Sequence, residues 1–186
     1  MHELRDRTLV VLGLGAIGRE VARLASAFGM RVIGVNRSGR NPGSSAERVI
    51  ATGELVDVLP EADAGVVVTV PSTDATRGLL DAAALAALPR TAVVVNVGRG
   101  AVIDEPALIE ALVAGRLAGA ALDVFAQEPL PDHSPLWQLP NAILSPHTAA
   151  LSPRENERLV DLFAANLRRY LDGRELINRV RVERGY

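Results

Sequence analysis

Apolar positions along the chain recur with two periods. Residues 8–12 form a short apolar run that enters Gly13-Leu14-Gly15-Ala16-Ile17-Gly18. The pattern then turns helical, with Ile17, Val21, Leu24, Ala25 and Phe28 on one side at i, i+4, i+7, i+8 and i+11. This predicts a strand over 8–12, a helix over 17–28 and a stop at Gly29, the residue type that closes helices at C′. A second strand is read over 31–35, a loop rich in Gly, Ser, Asn and Pro over 36–45, a short third strand over 47–50 and a short helix over 54–59. Continuous apolar runs at 65–70 and 91–97 read as strands, the first stopped by Pro71; such runs suit strands covered on both faces. Between them a helix is predicted over 76–88, closed by Pro89. Asp104 as N-cap and Pro106 in the first turn open a helix that ends near Gly115. A strand over 117–124, a Pro-rich loop over 127–140, a last short strand over 142–144 and the longest helix, 153–171 with Ser152 as its cap, complete the order. The tail after Gly173 is charged and weakly patterned.

Strands and helices alternate, which predicts an α/β fold: a doubly wound, mostly parallel sheet of Rossmann type, with a C-terminal helix and tail. Residues 1–150 read as a dinucleotide-binding domain and 151–186 as the C-terminal helix and tail. In such sheets ligands sit outside the carboxyl ends of the strands, near the switch point. Asn36, Pro71, Gly98-Arg99, Asp123 and Ser145-Pro146-His147 all follow predicted strands. In the glycine stretch, Gly13 permits a tight turn, Gly15 lets a pyrophosphate approach the backbone, and Gly18 lets the helix pack closely on the strand. The first N–H groups of that helix would face an anion. With a strand before it and a helix after it, this reads as a dinucleotide site in preference to a merely structural turn.

Composition narrows the picture further. A length of 186 residues suits one domain with an appendage, and 48% hydrophobic content with 3% aromatics implies a core of Ala, Val and Leu. A formal net charge of −2 gives no electrostatic case for nucleic acid or anionic membranes. The chain has no Cys, which excludes disulfides and thiolate metal sites, and its three His have no metal-ligand spacing. No apolar run approaches a membrane span, and the charged start, Met1-His2-Glu3-Leu4-Arg5-Asp6-Arg7, lacks a signal-peptide core. A cytoplasmic protein is the expectation that remains.

Three side chains carry candidate chemistry. Arg99, between Gly98 and Gly100, could hold a carboxylate through two parallel hydrogen bonds, or brace a loop carboxylate. Glu128 and His147 follow strands on the same predicted sheet edge. A carboxylate beside a His favours the imidazolium, so such a pair can act as acid toward a carbonyl and base toward an alcohol; a satisfied loop histidine and a solvated Glu are the alternatives. His2 and His133 lack the strand-end setting and receive no role.

Gly13-Leu-Gly-Ala-Ile-Gly18, Asn96-Val-Gly-Arg-Gly100, Gly119-Ala-Ala-Leu-Asp-Val-Phe125 with Glu128-Pro129, and Ser145-Pro-His-Thr148, in that order, resemble the nucleotide-binding domain of the D-isomer-specific 2-hydroxyacid dehydrogenases. The similarity runs from about Leu4 to about Asn178. The resemblance implies hydride transfer between NAD(P)H and a small-molecule 2-keto or D-2-hydroxy acid. It implies that Arg99 binds the substrate carboxylate and polarises the keto oxygen, that His147 passes the proton, and that Glu128 raises the pKa of His147. It also implies that Ala16-Ile17 cradle the pyrophosphate, that Pro71 lines the adenosine side and that Asp123 faces the nicotinamide. Dimerisation through this domain is common among similar proteins, so a homodimer is an expectation carried by the resemblance.

Two departures from the family pattern stand out. NAD-preferring members end the second strand with an acidic residue that holds the ribose 2′-OH; here the place reads Val35-Asn36-Arg37-Ser38, with Arg40 close by. With no carboxylate to repel a 2′-phosphate and two Arg to attract one, NADP is favoured over NAD. Family members also carry a substrate domain, most of it N-terminal to the glycine motif, whereas only Met1 to Arg7 precede the first strand here. Residues 151–186 then read as a remnant of the connection to such a domain. The expectation is a chain that binds cofactor and turns over poorly alone. A partial enzyme, a split enzyme completed by a separate substrate domain, a non-catalytic dinucleotide-sensing module, and an oxidoreductase acting on formate or phosphite remain as alternatives.

Overall fold

The computed structural model describes residues 3–180; Met1, His2 and residues 181–186 lie outside them. Seven parallel strands, β1 (Thr8–Leu12), β2 (Arg31–Asn36), β3 (Arg48–Ala51), β4 (Gly65–Val68), β5 (Val93–Asn96), β6 (Gly119–Leu122) and β7 (Ala142–Leu144), form one sheet in the order β3-β2-β1-β4-β5-β6-β7. Helices α1 (Ala16–Ala27), α2 (Leu55–Val58), α3 (Ala82–Ala87) and α4 (Glu105–Val113) connect them, and α5 (Glu155–Leu171) follows. Strand order reverses between β1 and β4, the place where open parallel sheets bind ligands. This is the doubly wound Rossmann architecture expected from the alternation of strands and helices.

The described residues divide into two compact units between His147 and Thr148. In the first, side-chain alternation along the strands separates two cores. Val10, Leu12, Val66, Val68 and Val94 pack with Leu55, Leu85, Leu108 and Leu112 of α2, α3 and α4. Val11 and Val32 pack with Ala22 and Ala25 of α1. All four β4 residues are buried, as its unbroken apolar run required, but Val93 and Val95 of β5 are only half-buried. In the second unit, the Asn166 side chain of α5 pairs with both backbone groups of Ile177, at 3.1 and 2.7 Å.

Three local expectations change. The buried stripe of α1 is Gly18, Ala22 and Ala25, while Ile17, Leu24 and Phe28 are exposed. Small residues face the sheet because the helix lies close upon it: a Cβ on Gly18 would fall 1.8 Å from the Gly13 carbonyl oxygen. The helix read over 76–88 begins only at Ala82. Gly78 takes φ +62°, Leu80 forms a parallel bridge with Ile103, and the Asp81 carboxylate caps the helix by accepting from Ala84 N–H at 2.8 Å. Ser152 is not the cap of α5, which starts at Glu155 after Arg154; the Ser152 hydroxyl accepts from Arg154 N–H at 3.3 Å instead.

Candidate active site

The site begins where β1 turns into α1. Gly13 has φ +93°, a left-handed conformation that only glycine adopts freely, and Gly18 packs against its carbonyl. Thr69, just past β4, donates its hydroxyl to the carbonyls of Leu12 and Gly13, both at 2.9 Å, and so fixes the turn from the neighbouring strand. A Cβ on Gly15 would meet nothing within 4 Å, so the turn is open on that side. Gly15 is the N-cap of α1 and no side chain caps the helix, so its first N–H groups are not engaged by a side chain. An open glycine backbone, an uncapped helix terminus and exposed Ala16 and Ile17 suit a pyrophosphate.

Next along the sheet edge, at the end of β2, Asn36 organises its own loop. Its Oδ1 accepts from Ser38 N–H (3.0 Å), the Ser38 hydroxyl (3.2 Å) and Gly39 N–H (2.9 Å), while Nδ2 donates to Arg40 O (2.8 Å). Among the described residues no hydrogen bond or ion pair engages the Arg37 or Arg40 side chain. Pro71 is half-buried past β4, and its carbonyl accepts from the Thr76 hydroxyl at 2.7 Å.

The strands on the other side of the switch point carry the titratable groups. Asn96 ends β5 fully buried; its Oδ1 accepts from Gly98 N–H and its Nδ2 donates to Arg99 O, both at 3.0 Å. This clamp holds the loop that presents Arg99. The exposed Arg99 guanidinium turns back onto Gly98 O at 2.6 Å. Asp123, at the end of β6, is buried and accepts a hydrogen bond from the Ser145 hydroxyl past β7.

Glu128 and His147 meet as expected: Glu128 Oε2 lies 2.8 Å from His147 Nδ1. The second carboxylate oxygen accepts from Phe125 N–H at 3.1 Å. The hydrogen bond to His147 is the main reason the Glu128 carboxyl titrates below its ordinary range, helped by the Phe125 N–H and by the charges of His147 and Arg99. His147 itself sits at φ +56°.

The pair and its strand-end setting are legible in the sequence; the residues that brace the glycine turn, the Arg99 loop, Asp123 and the 125–128 loop are less so. Thr69 was visible as a lone hydroxyl in an apolar run and Asn96 as a polar strand end; Ser145 stood inside a quoted motif. Glu105, whose carboxylate accepts from Ala126 N–H at 2.9 Å, left no local signal. Among the described residues no group of three or more His, Cys, Asp or Glu is arranged to hold a metal ion, and no helix is long and apolar enough to cross a membrane.

Residues 1–149 match the family model described as D-isomer specific 2-hydroxyacid dehydrogenase, NAD binding domain. The chain is 41% identical over 180 residues to a glyoxylate reductase of Aeropyrum pernix, covering 95% of this chain and 53% of that protein. A glyoxylate reductase of Korarchaeum cryptofilum is 40% identical over 166 residues, 89% of this chain and 49% of that one. The chain therefore spans about half the length of these curated relatives. A D-isomer specific 2-hydroxyacid dehydrogenase from Xanthobacter autotrophicus Py2, solved with NADPH and MES, superposes with a TM-score of 0.88 at 38% identity over 100% of this chain and 75% of that one. An NADPH-dependent glyoxylate/hydroxypyruvate reductase from Sinorhizobium meliloti, solved with NADP and sulfate, gives 0.89 at 35% identity over 100% and 59%.

Proposed function

Because the chain belongs to the D-isomer specific 2-hydroxyacid dehydrogenase family through its NAD binding domain, we propose that it supplies the cofactor site and the proton-transfer pair of an NADP-favouring reductase of small 2-keto acids. Glyoxylate and hydroxypyruvate, named for its relatives, are the first substrates to test. The observation that carries this reading is the 2.8 Å Glu128–His147 pair on the same sheet edge as the open glycine turn.

When bound, the nicotinamide cofactor supplies hydride exchange at the substrate carbon; the remaining work falls to side chains of this chain. The Gly13–Gly18 turn and the α1 N-terminus hold the pyrophosphate. Pro71 lines the adenosine side, and Asp123, held by Ser145, faces the nicotinamide end. Arg99, on its Asn96-clamped loop, swings from Gly98 O to pair with the substrate carboxylate. Glu128 holds the Nδ1 edge of His147, which leaves Nε2 to give a proton to the carbonyl oxygen or take one from the alcohol. Arg37 and Arg40 attract the 2′-phosphate with no acidic residue at position 36 to repel it.

The test is reduction of glyoxylate and hydroxypyruvate with NADPH and NADH by the chain alone and by the chain supplied with the family's substrate-domain region. H147N should lower kcat by about two to four orders of magnitude, the range of general acid–base catalysis, and leave cofactor affinity unchanged. R37A should weaken NADPH roughly tenfold and leave NADH alone, as loss of a charge-assisted bond predicts. Cofactor binding with no turnover in either preparation would move the reading to a dinucleotide-binding module.

A further inference from the structure

We propose that Glu105 is a positioning residue for the Glu128–His147 pair, acting through the backbone at 125–126. The proposal rests on the reading of that pair as the proton-transfer unit. Glu105 opens α4, and its half-buried carboxylate accepts from Ala126 N–H at 2.9 Å across 21 positions of sequence. One peptide earlier, Phe125 N–H donates to Glu128. Two carboxylates from different elements therefore hold consecutive N–H groups of one loop.

Glu105 is not needed as a helix cap, because Asp104 already accepts from Ala107 N–H at 3.1 Å. Its carboxylate leaves the helix to reach the loop. The same stretch of loop is braced from the Arg99 side, since a Cβ on Gly100 would fall 1.9 Å from the Phe125 carbonyl. With Glu105 gone, Ala126 N–H loses its acceptor, the 125–128 turn loosens, and the Phe125 N–H bond that orients Glu128 toward His147 loosens with it.

The experiment compares E105A, E105D and E105Q with the unaltered chain, using amide exchange at Phe125 and Ala126 and ¹³C titration of the Glu128 carboxyl, assigned by its loss in E128Q. In E105A both amides should exchange at least tenfold faster, and the Glu128 titration should rise toward the ordinary carboxylate range. With the family's substrate-domain region supplied, kcat should fall roughly tenfold, less than the hundredfold that a full ångström of misplacement costs, with NADPH affinity unchanged. E105Q, whose amide oxygen still accepts from Ala126, should restore most of each effect. E105D keeps the charge and shortens the reach, so it should behave as E105A and decides the matter where E105A fails to fold. Exchange and Glu128 titration at unaltered values in folded E105A or E105D would overturn the proposal, even with E128Q inactive. Turnover intact in E128Q, beside a shifted titration in E105A, would remove the catalytic reading of the pair and leave the positioning role standing.

Discussion

His147 occupies the left-handed region at φ +56°, with its N–H on Ser145 O at 3.1 Å and its ring on Glu128. Outside glycine, that region is most accessible to Asn, Asp and His, so the residue type is matched to the turn as well as to the chemistry. Asn is therefore the substitution that removes the imidazole with least disturbance of the backbone. Glu128 gives a pH prediction. Its pKa is lowered, first by the His147 hydrogen bond, so its ionised form stabilises the folded state above the ordinary Glu pKa. That contribution is lost as pH falls from the ordinary range through the lower folded value. About 37% of the Glu128 side chain is exposed, so solvent screening holds the amount to about 1 kcal/mol or less. Urea unfolding at pH 7 and pH 3 should show the unaltered chain losing more stability on acidification than E128Q, by that small difference; equal losses would contradict it. The Glu128–His147 pair was legible because both residues follow strands on one sheet edge. Glu105 was not, because its partner, Ala126 N–H, is brought close by the fold across 21 positions rather than by any local spacing.

Strands were the most legible elements, since β1, β4 and β5 are short, apolar and bounded by glycine, proline or polar residues. Helix faces were less so. Of the stripe Ile17, Val21, Leu24, Ala25 and Phe28 only Ala25 is fully buried, because the turn forces the helix so near β1 that Gly18, Ala22 and Ala25 take the inner face. The helix read over 76–88 is confined to the Ala-rich stretch before Pro89, because Gly78 takes φ +62° and Leu80 is drawn into a bridge with Ile103. Gly18 and Gly100 both lie where backbone meets backbone without room for a side chain, one in the glycine turn and one beside the 125–126 loop. At Gly18 a methyl group would strike the Gly13 carbonyl, so G18A should open the pyrophosphate turn and reduce NADPH binding tenfold or more, on the order of one lost charge-assisted bond. At Gly100 the clash is with the 125–126 backbone, so G100A should spare cofactor affinity and disturb Glu128 and His147. Fluorescence titration with NADPH beside ¹³C titration of Glu128 separates the two; equal effects of both variants on both readouts would show that the halves of the edge are not mechanically distinct.

At the scale of the molecule, the sheet order sets two half-sites side by side. β1 and β2 carry the glycine turn and the arginine loop, and β5, β6 and β7 carry Arg99, Asp123 and the Glu128–His147 pair, with the switch point between β1 and β4 dividing them. Alternation of strands and helices made the doubly wound parallel sheet legible, because right-handed crossovers leave few other ways to wind such a chain. A consequence follows that needs no turnover. A ligand that binds only the folded state adds RT ln(1 + [L]/Kd) to stability, about 2.7 kcal/mol at a hundredfold excess over Kd. For a chain of this size each kcal/mol raises Tm by about 2–4 °C, so saturating NADPH should raise it by roughly 5–10 °C. At the same concentration NADH should give a smaller rise if, as proposed, Arg37 and Arg40 attract the 2′-phosphate that it lacks. In R37A the NADPH shift should shrink toward the NADH value while the NADH shift holds. G18A should diminish both shifts together, because the pyrophosphate is common to the two cofactors. Equal shifts with NADH and NADPH in the unaltered chain would remove the arginine loop from cofactor choice and leave the glycine turn as the part that binds.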